Sequence, residues 1–216
     1  MPGIDFTQLL AGFLVLVVSL TVHEAAHAWS ADRLGDSTAR RLGRLSLNPA
    51  VHIDPIGTIL FPLIAMVTNL PLIGWAKPVP VSVSQLGGRW RQRFMFIAAA
   101  GPASNIVLAL AAAVVLAALG PVEASGDAIA MSVAARLEYL FRTMVVVNVL
   151  LAVFNMVPIP PLDGGNVLSG LLTGSLATQF DRLRPFGFII LYALLLTGTL
   201  WTLVSPPAAF LLSWLL

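Results

Sequence analysis

The stretch Thr21-Val22-His23-Glu24-Ala25-Ala26-His27-Ala28 ends an apolar run, Phe6 to Val22, whose polar side chains are Thr7, Gln8, Ser19 and Thr21 and which carries no charge. Its core reads His-Glu-x-x-His. Residues four apart share one face of a helix, so His23 and His27 are spaced to offer two imidazoles to one metal. Glu24 then lies beside that metal, placed to take a proton from water. Ionisable groups at membrane depth are costly and mark function. The stretch therefore reads as a metal-binding helix that begins inside a bilayer, and this sets the fold class.

Composition agrees. The 216 residues are 58% hydrophobic and 10% charged, with mean hydropathy +0.91. A soluble domain carries about 25% charged residues, and so few charges cannot cover a water-exposed surface. The expected fold is an all-α, polytopic membrane helical bundle forming a single membrane-embedded domain over 1–216. The net charge is +2 and the pI about 9.7, but the arginines sit between apolar runs. They set orientation in the bilayer and do not indicate nucleic acid. The absence of cysteine excludes disulfides, a cysteine nucleophile and cysteine ligands. The N-terminus lacks the basic region of a signal peptide, and cleavage there would remove the motif.

Working outward, the first helix is expected over about Ile4 to Asp32, with Gly35 as its stop. Arg33, Arg40, Arg41 and Arg44 follow, and a second basic group, Arg89, Arg91 and Arg93, precedes the span Phe94 to Leu119. Both groups favour the cytoplasmic side. One crossing between them would put one outside, so the apolar run 56–73, interrupted by Pro62, Asn69 and Pro71, is expected to be re-entrant or broken. Such backbone is tolerated at membrane depth where protein or water covers it. Asp54-Pro55 reads as a cap and first helical position. Two prolines and alternating valines make 76–83 a short extended or β stretch. Met131 to Met156 is expected helical, with a break at Pro158-Ile159-Pro160-Pro161; Leu162-Asp163-Gly164-Gly165-Asn166 follows, then a short helix to about Leu172. Phe186 to Val204 is the last expected span, broken by Ser205-Pro206-Pro207.

Imidazole and carboxylate ligands suit zinc in a tetrahedral site with one open position. A third protein ligand is needed, and His52 and Asp163 are the candidates. Asp163 follows the proline break at the end of a later span, where it can face His27. His52 reads as a ligand, an outer hydrogen-bond donor or a loop-packing residue.

These residues carry a resemblance. His23-Glu24-Ala25-Ala26-His27, Asn48-Pro49-Ala50-Val51-His52-Ile53-Asp54-Pro55 and Asn155-Met156-Val157-Pro158-Ile159-Pro160-Pro161-Leu162-Asp163-Gly164 together resemble the site-2 protease family of intramembrane zinc metalloproteases. Ala76-Lys77-Pro78-Val79-Pro80-Val81 and Ala100-Gly101-Pro102-Ala103-Ser104-Asn105 are similar to its compact prokaryotic branch, which lacks a PDZ-type domain. The resemblance implies that His23, His27 and Asp163 bind zinc and that Glu24 is the general base. It implies a catalytic part for Asn155 and a structural one for Asn105, and it makes 76–83 the stretch that meets substrate. The implied enzyme cuts peptide bonds in or near transmembrane segments, in regulated intramembrane proteolysis. Its partners are a membrane-protein substrate with a transmembrane helix and membrane lipid. It sits in the cell membrane with its active site toward the cytoplasm. At Ser82-Val83 the chain departs from the family's usual Asn-Pro.

Other classes fit less well. No Gly-x-Ser-x-Gly elbow is present, and an aspartyl protease needs two facing aspartates where this chain offers Asp163. The rival reading is a zinc-binding membrane protein without proteolysis, either an inactive relative or a metal transporter. A transporter spreads polar ligands along a path, whereas this chain gathers them at one depth. Metal binding alone does not require Glu24.

Overall fold

The computed structural model describes residues 6–60, Ile64, 76–120 and 128–216. Helix α1 (Phe6–Arg33) carries the metal motif in its last third. It ends where Gly35 takes φ +105°, a conformation open to glycine and strained for other residues. A short α2 (Thr38–Arg41) follows. The long α3 (Trp90–Leu119) and α4 (Ala128–Asn155) form the centre with α1. Next come α5 (Asp163–Leu171), α6 (Gly174–Asp181), α7 (Gly187–Leu196) and α8 (Thr199–Leu215). Among the described residues there is no strand. Three helices are long and apolar enough to cross a membrane, and the bent pair ending in α7 and α8 makes up to four. The protein is an all-α, multi-pass membrane bundle.

Small residues let the central helices meet closely. Ala109 and Ala112 of α3 pack on Val145 and Val149 of α4 and on Ala208 of α8. Lipid tails are as apolar as leucine, so this contact draws on close packing more than on the hydrophobic effect. Leu14, Val107 and Val114 remain exposed on the outside, as a lipid-facing surface requires.

The two basic groups meet at one end of the bundle. Arg93 Nη1 donates to the carbonyl oxygens of Leu34 (3.3 Å) and Leu86 (3.0 Å). The buried Asp36 carboxylate accepts from the backbone of Thr38 (2.9 Å) and Ser82 (2.6 Å). Asp181 joins this end: it pairs with Arg91, and Arg184 Nε donates to it at 3.1 Å. Arg184 also donates to Asn166 of α5 at 3.1 Å. This brace ties the helix carrying Asp163 to the start of α3.

Most of the expected 56–73 segment lies outside the described residues. Its beginning, Pro55–Leu60, is a π-helical turn whose N–H groups at Ile56 and Gly57 are capped by Asp54 Oδ1. Its flanks are tied together, because the Lys77 N–H donates to the His52 carbonyl at 2.8 Å.

Three boundaries differ from expectation. The third helix starts at Trp90, not Phe94, because a 3₁₀ turn over Val83–Arg89 feeds it directly and takes Arg91 and Arg93 into its first turns. The stretch Ala76–Ser82 is non-helical but unpaired as a strand. Pro78 and Pro80 have no N–H to give, and the N–H groups of Lys77, Val79 and Ser82 go to His52, Glu24 and Asp36. The last helix does not break at Ser205-Pro206-Pro207. The chain bends by 78° at Gly198, with φ +73°, and α8 then runs through both prolines. Proline's fixed φ fits a helix, and membrane helices tolerate the lost hydrogen bond. The left-handed glycine is what ends the preceding turn.

Candidate metal centre

His23 and His27 share one face of α1, and Asp163 opens α5 opposite them. His23 Nε2 lies 3.0 Å from His27 Nε2. Asp163 Oδ2 lies 3.1 Å from the first and 3.3 Å from the second. The three ligand atoms all fall within 4.8 Å of one another. Two ligands each roughly 2.0–2.1 Å from a tetrahedral zinc are themselves about 3.3 Å apart, so the spacing fits. The three are largely buried, with Asp163 the most open at 16% of its side chain.

A glycine makes room for this group. A Cβ on Gly101 of α3 would stand 2.4 Å from His27 Nε2 and 2.6 Å from His23 Nε2. Any side chain there would fill the space between the imidazoles. Gly164 plays a similar part beside Asp163. Its Cβ would lie 2.3 Å from the Met156 carbonyl oxygen, so only glycine lets the start of α5 fold against the end of α4.

Each histidine is also held through Nδ1. His27 Nδ1 lies 2.7 Å from the Ile97 carbonyl oxygen. A carbonyl only accepts, so Nδ1 carries the hydrogen, which makes Nε2 the ring nitrogen available to a metal beside Asp163. His23 Nδ1 lies 2.6 Å from Asn105 Oδ1. Asn105 is four residues after Gly101, so both project from α3 toward α1.

Glu24 is buried, and its Oε2 accepts the Val79 N–H at 2.9 Å. This fixes the candidate base against the non-helical stretch 76–82. Asn155, the other candidate catalytic residue, donates its amide to the Leu151 carbonyl in its own helix at 3.0 Å. Among the described residues no hydrogen bond ties it to His23, His27 or Asp163. His52 is the candidate ligand left out of the cluster. It is buried, and its Nε2 bonds the Ser46 carbonyl oxygen at 2.8 Å while its own carbonyl holds Lys77. It organises the loop that carries the extended stretch.

Sequence reading did not single out Asn148, and it noted Ser19 only as a polar side chain. Both are fully buried beside Asn105. The available signal was a lone amide in the apolar run Met144 to Phe154, since polar groups inside a membrane helix usually face another helix.

Several known proteins resemble this chain. The family model "Peptidase family M50" matches residues 118–198, a stretch that includes Asp163. "Putative zinc metalloprotease YwhC" of Bacillus subtilis is 34% identical over 196 residues, 89% of this chain and 84% of the relative. "Putative zinc metalloprotease Rip2" of Mycolicibacterium smegmatis is 32% identical over 201 residues, 90% of this chain and 69% of the relative. Its Mycobacterium tuberculosis namesake is 29% identical over 195 residues. No solved structure matches the chain.

Proposed function

This chain belongs to peptidase family M50, the site-2 protease family, and on that premise we propose that it is an intramembrane zinc endopeptidase that cuts peptide bonds in or near transmembrane segments. The observation that carries this reading is the cluster of His23, His27 and Asp163 with Glu24 next along the same helix. His23 Nε2, His27 Nε2 and Asp163 Oδ2 would hold the zinc. Bound there, zinc would supply a Lewis acid that lowers the pKa of water toward about 7 and polarises a carbonyl oxygen.

Glu24 moves the proton. Its carboxylate takes one from water as the carbonyl carbon is attacked and returns it to the leaving amine nitrogen. The Val79 N–H keeps that carboxylate in place. Asn155 acts beside the scissile carbonyl, a part that requires its amide to leave Leu151 when substrate binds. The substrate is a membrane protein whose transmembrane helix must unwind locally, because every carbonyl of an intact helix is hydrogen-bonded.

The unpaired stretch 76–82 receives that unwound segment. Its own N–H groups at Lys77, Val79 and Ser82 are engaged. Pairing there therefore rests on its carbonyls, on the Val81 N–H or on exchange at Val79. The active site faces the cytoplasm of a cell membrane, a reading supported by the basic residues gathered at the end of the bundle near Asp163.

The test uses full-length purified protein with a single-span membrane substrate. Wild type should cut. Glu24→Gln should lose at least about 100-fold in rate, the low end for a general base, while keeping zinc. Chelation should abolish cutting, and added zinc should restore it. Full activity in Glu24→Gln would overturn the proposal. Zinc binding without cleavage of any of several substrates would favour a non-proteolytic zinc protein.

A further inference from the structure

Three fully buried polar side chains stand behind His23: Asn105 of α3, Asn148 of α4 and Ser19 of α1. Together they join the three central helices at one point. Their hydrogen bonds admit one self-consistent assignment, because the chain of partners ends on backbone carbonyls. Asn148 Nδ2 lies 2.8 Å from the Met144 carbonyl oxygen and 2.9 Å from Ser19 Oγ. The carbonyl only accepts, so the nitrogen of the Asn148 amide must point there. Its Oδ1 then faces Asn105, whose Nδ2 donates to it at 2.8 Å and also lies 3.3 Å from the Ser19 carbonyl oxygen. Asn105 Oδ1 is thereby turned to His23 Nδ1 at 2.6 Å. An amide oxygen only accepts, so His23 Nδ1 must carry the hydrogen.

We infer that Asn105 and Asn148 are positioning residues that hold His23 with its hydrogen on Nδ1 and its Nε2 lone pair aimed at the metal. The inference rests on the metal-binding reading of His23, His27 and Asp163. Asn105 touches the ligand, and Asn148 acts through Asn105 by fixing which end of its amide faces His23. Without Asn148, the Asn105 amide keeps only the longer 3.3 Å contact to the Ser19 carbonyl; once it rotates it presents Nδ2 to the ring, which favours the tautomer with the hydrogen on Nε2 and blocks the ligand atom. A metal-bound histidine is generally oriented by the partner of its other ring nitrogen. Here that partner is a side-chain amide whose own orientation is set one helix further away.

The experiment is zinc affinity by chelator competition on the full-length protein, with 15N-histidine spectra of the zinc-loaded state. Asn105→Leu should lower affinity by about 10–100-fold, the usual cost of losing an outer partner of a ligand. Asn148→Leu should lower it by about tenfold or less, because Asn105 remains. In wild type the His23 Nδ1–H should give a signal protected from solvent exchange. That signal should be lost or exchange-broadened in both variants, while the His27 Nδ1–H signal, held by the Ile97 carbonyl, persists.

A merely structural loss would move both histidine signals together, and that result would overturn the inference. So would wild-type affinity in Asn105→Leu. Should the variants fail to fold, wild type alone decides: a zinc-loaded protein lacking a protected His23 Nδ1–H sinks the inference. Wild type that binds no zinc would sink the underlying metal reading, a distinguishable outcome.

Discussion

His23 and His27 sit one turn apart on the same helix and face the same aspartate, yet they are supported in opposite ways. His27 leans on a backbone carbonyl, that of Ile97. His23 leans on a side chain, Asn105 of α3, backed by Asn148 of α4 and by Ser19 of its own helix. A carbonyl is present whatever residue is coded at 97, so the His27 support is insensitive to substitution so long as α3 keeps its course. The His23 support depends on Asn105 itself and is weakened when Asn148, which backs it, is lost. Equivalent ligands can thus differ sharply in how easily mutation reaches them.

Removing the shared part of the site should have the largest effect. Gly101→Ala places a Cβ between the imidazoles, within 2.4–2.6 Å of both. Overpacking costs about 1–3 kcal/mol where the structure can shift. Zinc affinity should fall beyond the roughly 100-fold limit of outer-partner changes, and chelator competition would show it. Because both rings are struck, both histidine signals should change, which erases the contrast. Asn105→Leu comes next and should separate the two ligands, with its loss confined to His23.

Ser19→Ala is a gentler probe of the same side. It removes one acceptor from Asn148 but leaves the Met144 carbonyl to orient it. Affinity should drop less than about tenfold. Thermal or denaturant unfolding should show a loss near the average of about 0.6 kcal/mol for a hydrogen bond between membrane helices. Ile97→Val should have the smallest effect on zinc, smaller than Ser19→Ala, since the carbonyl stays. Its cost belongs to packing against Ala31 and Leu86, about 0.5–1.5 kcal/mol of stability. An affinity loss for Ile97→Val larger than that for Ser19→Ala would break the comparison.

Much of this was legible in the sequence. The spans built around α1, α3 and α4 follow from long charge-free runs, and Gly35 was a readable stop. Asp163 was readable as a candidate because a proline break placed a carboxylate at the end of a span. The bend at Gly198 was harder to see. Pro206 and Pro207 are stronger punctuation than one glycine in a soluble chain, but in a membrane helix the order reverses, since neighbouring helices compensate for proline. The 76–83 stretch read correctly as non-helical over 76–82, while Val83 opens a 3₁₀ turn. That it pairs with no strand depended on where three of its N–H groups find partners.

The His23–Glu24–His27 spacing needed only the geometry of one helix, a local property repeated wherever those residues turn helical. Composition likewise fixed the membrane class, because a chain with so few charges has no aqueous surface to offer. The meeting of Asp163 with His23 and His27, the opening left by Gly101 and the amide chain from Asn148 to His23 are matters of packing. Each depends on residues from different helices arriving within about 3 Å, the reach of a hydrogen bond. That encounter is set by how the helices cross, and no spacing along the chain encodes it.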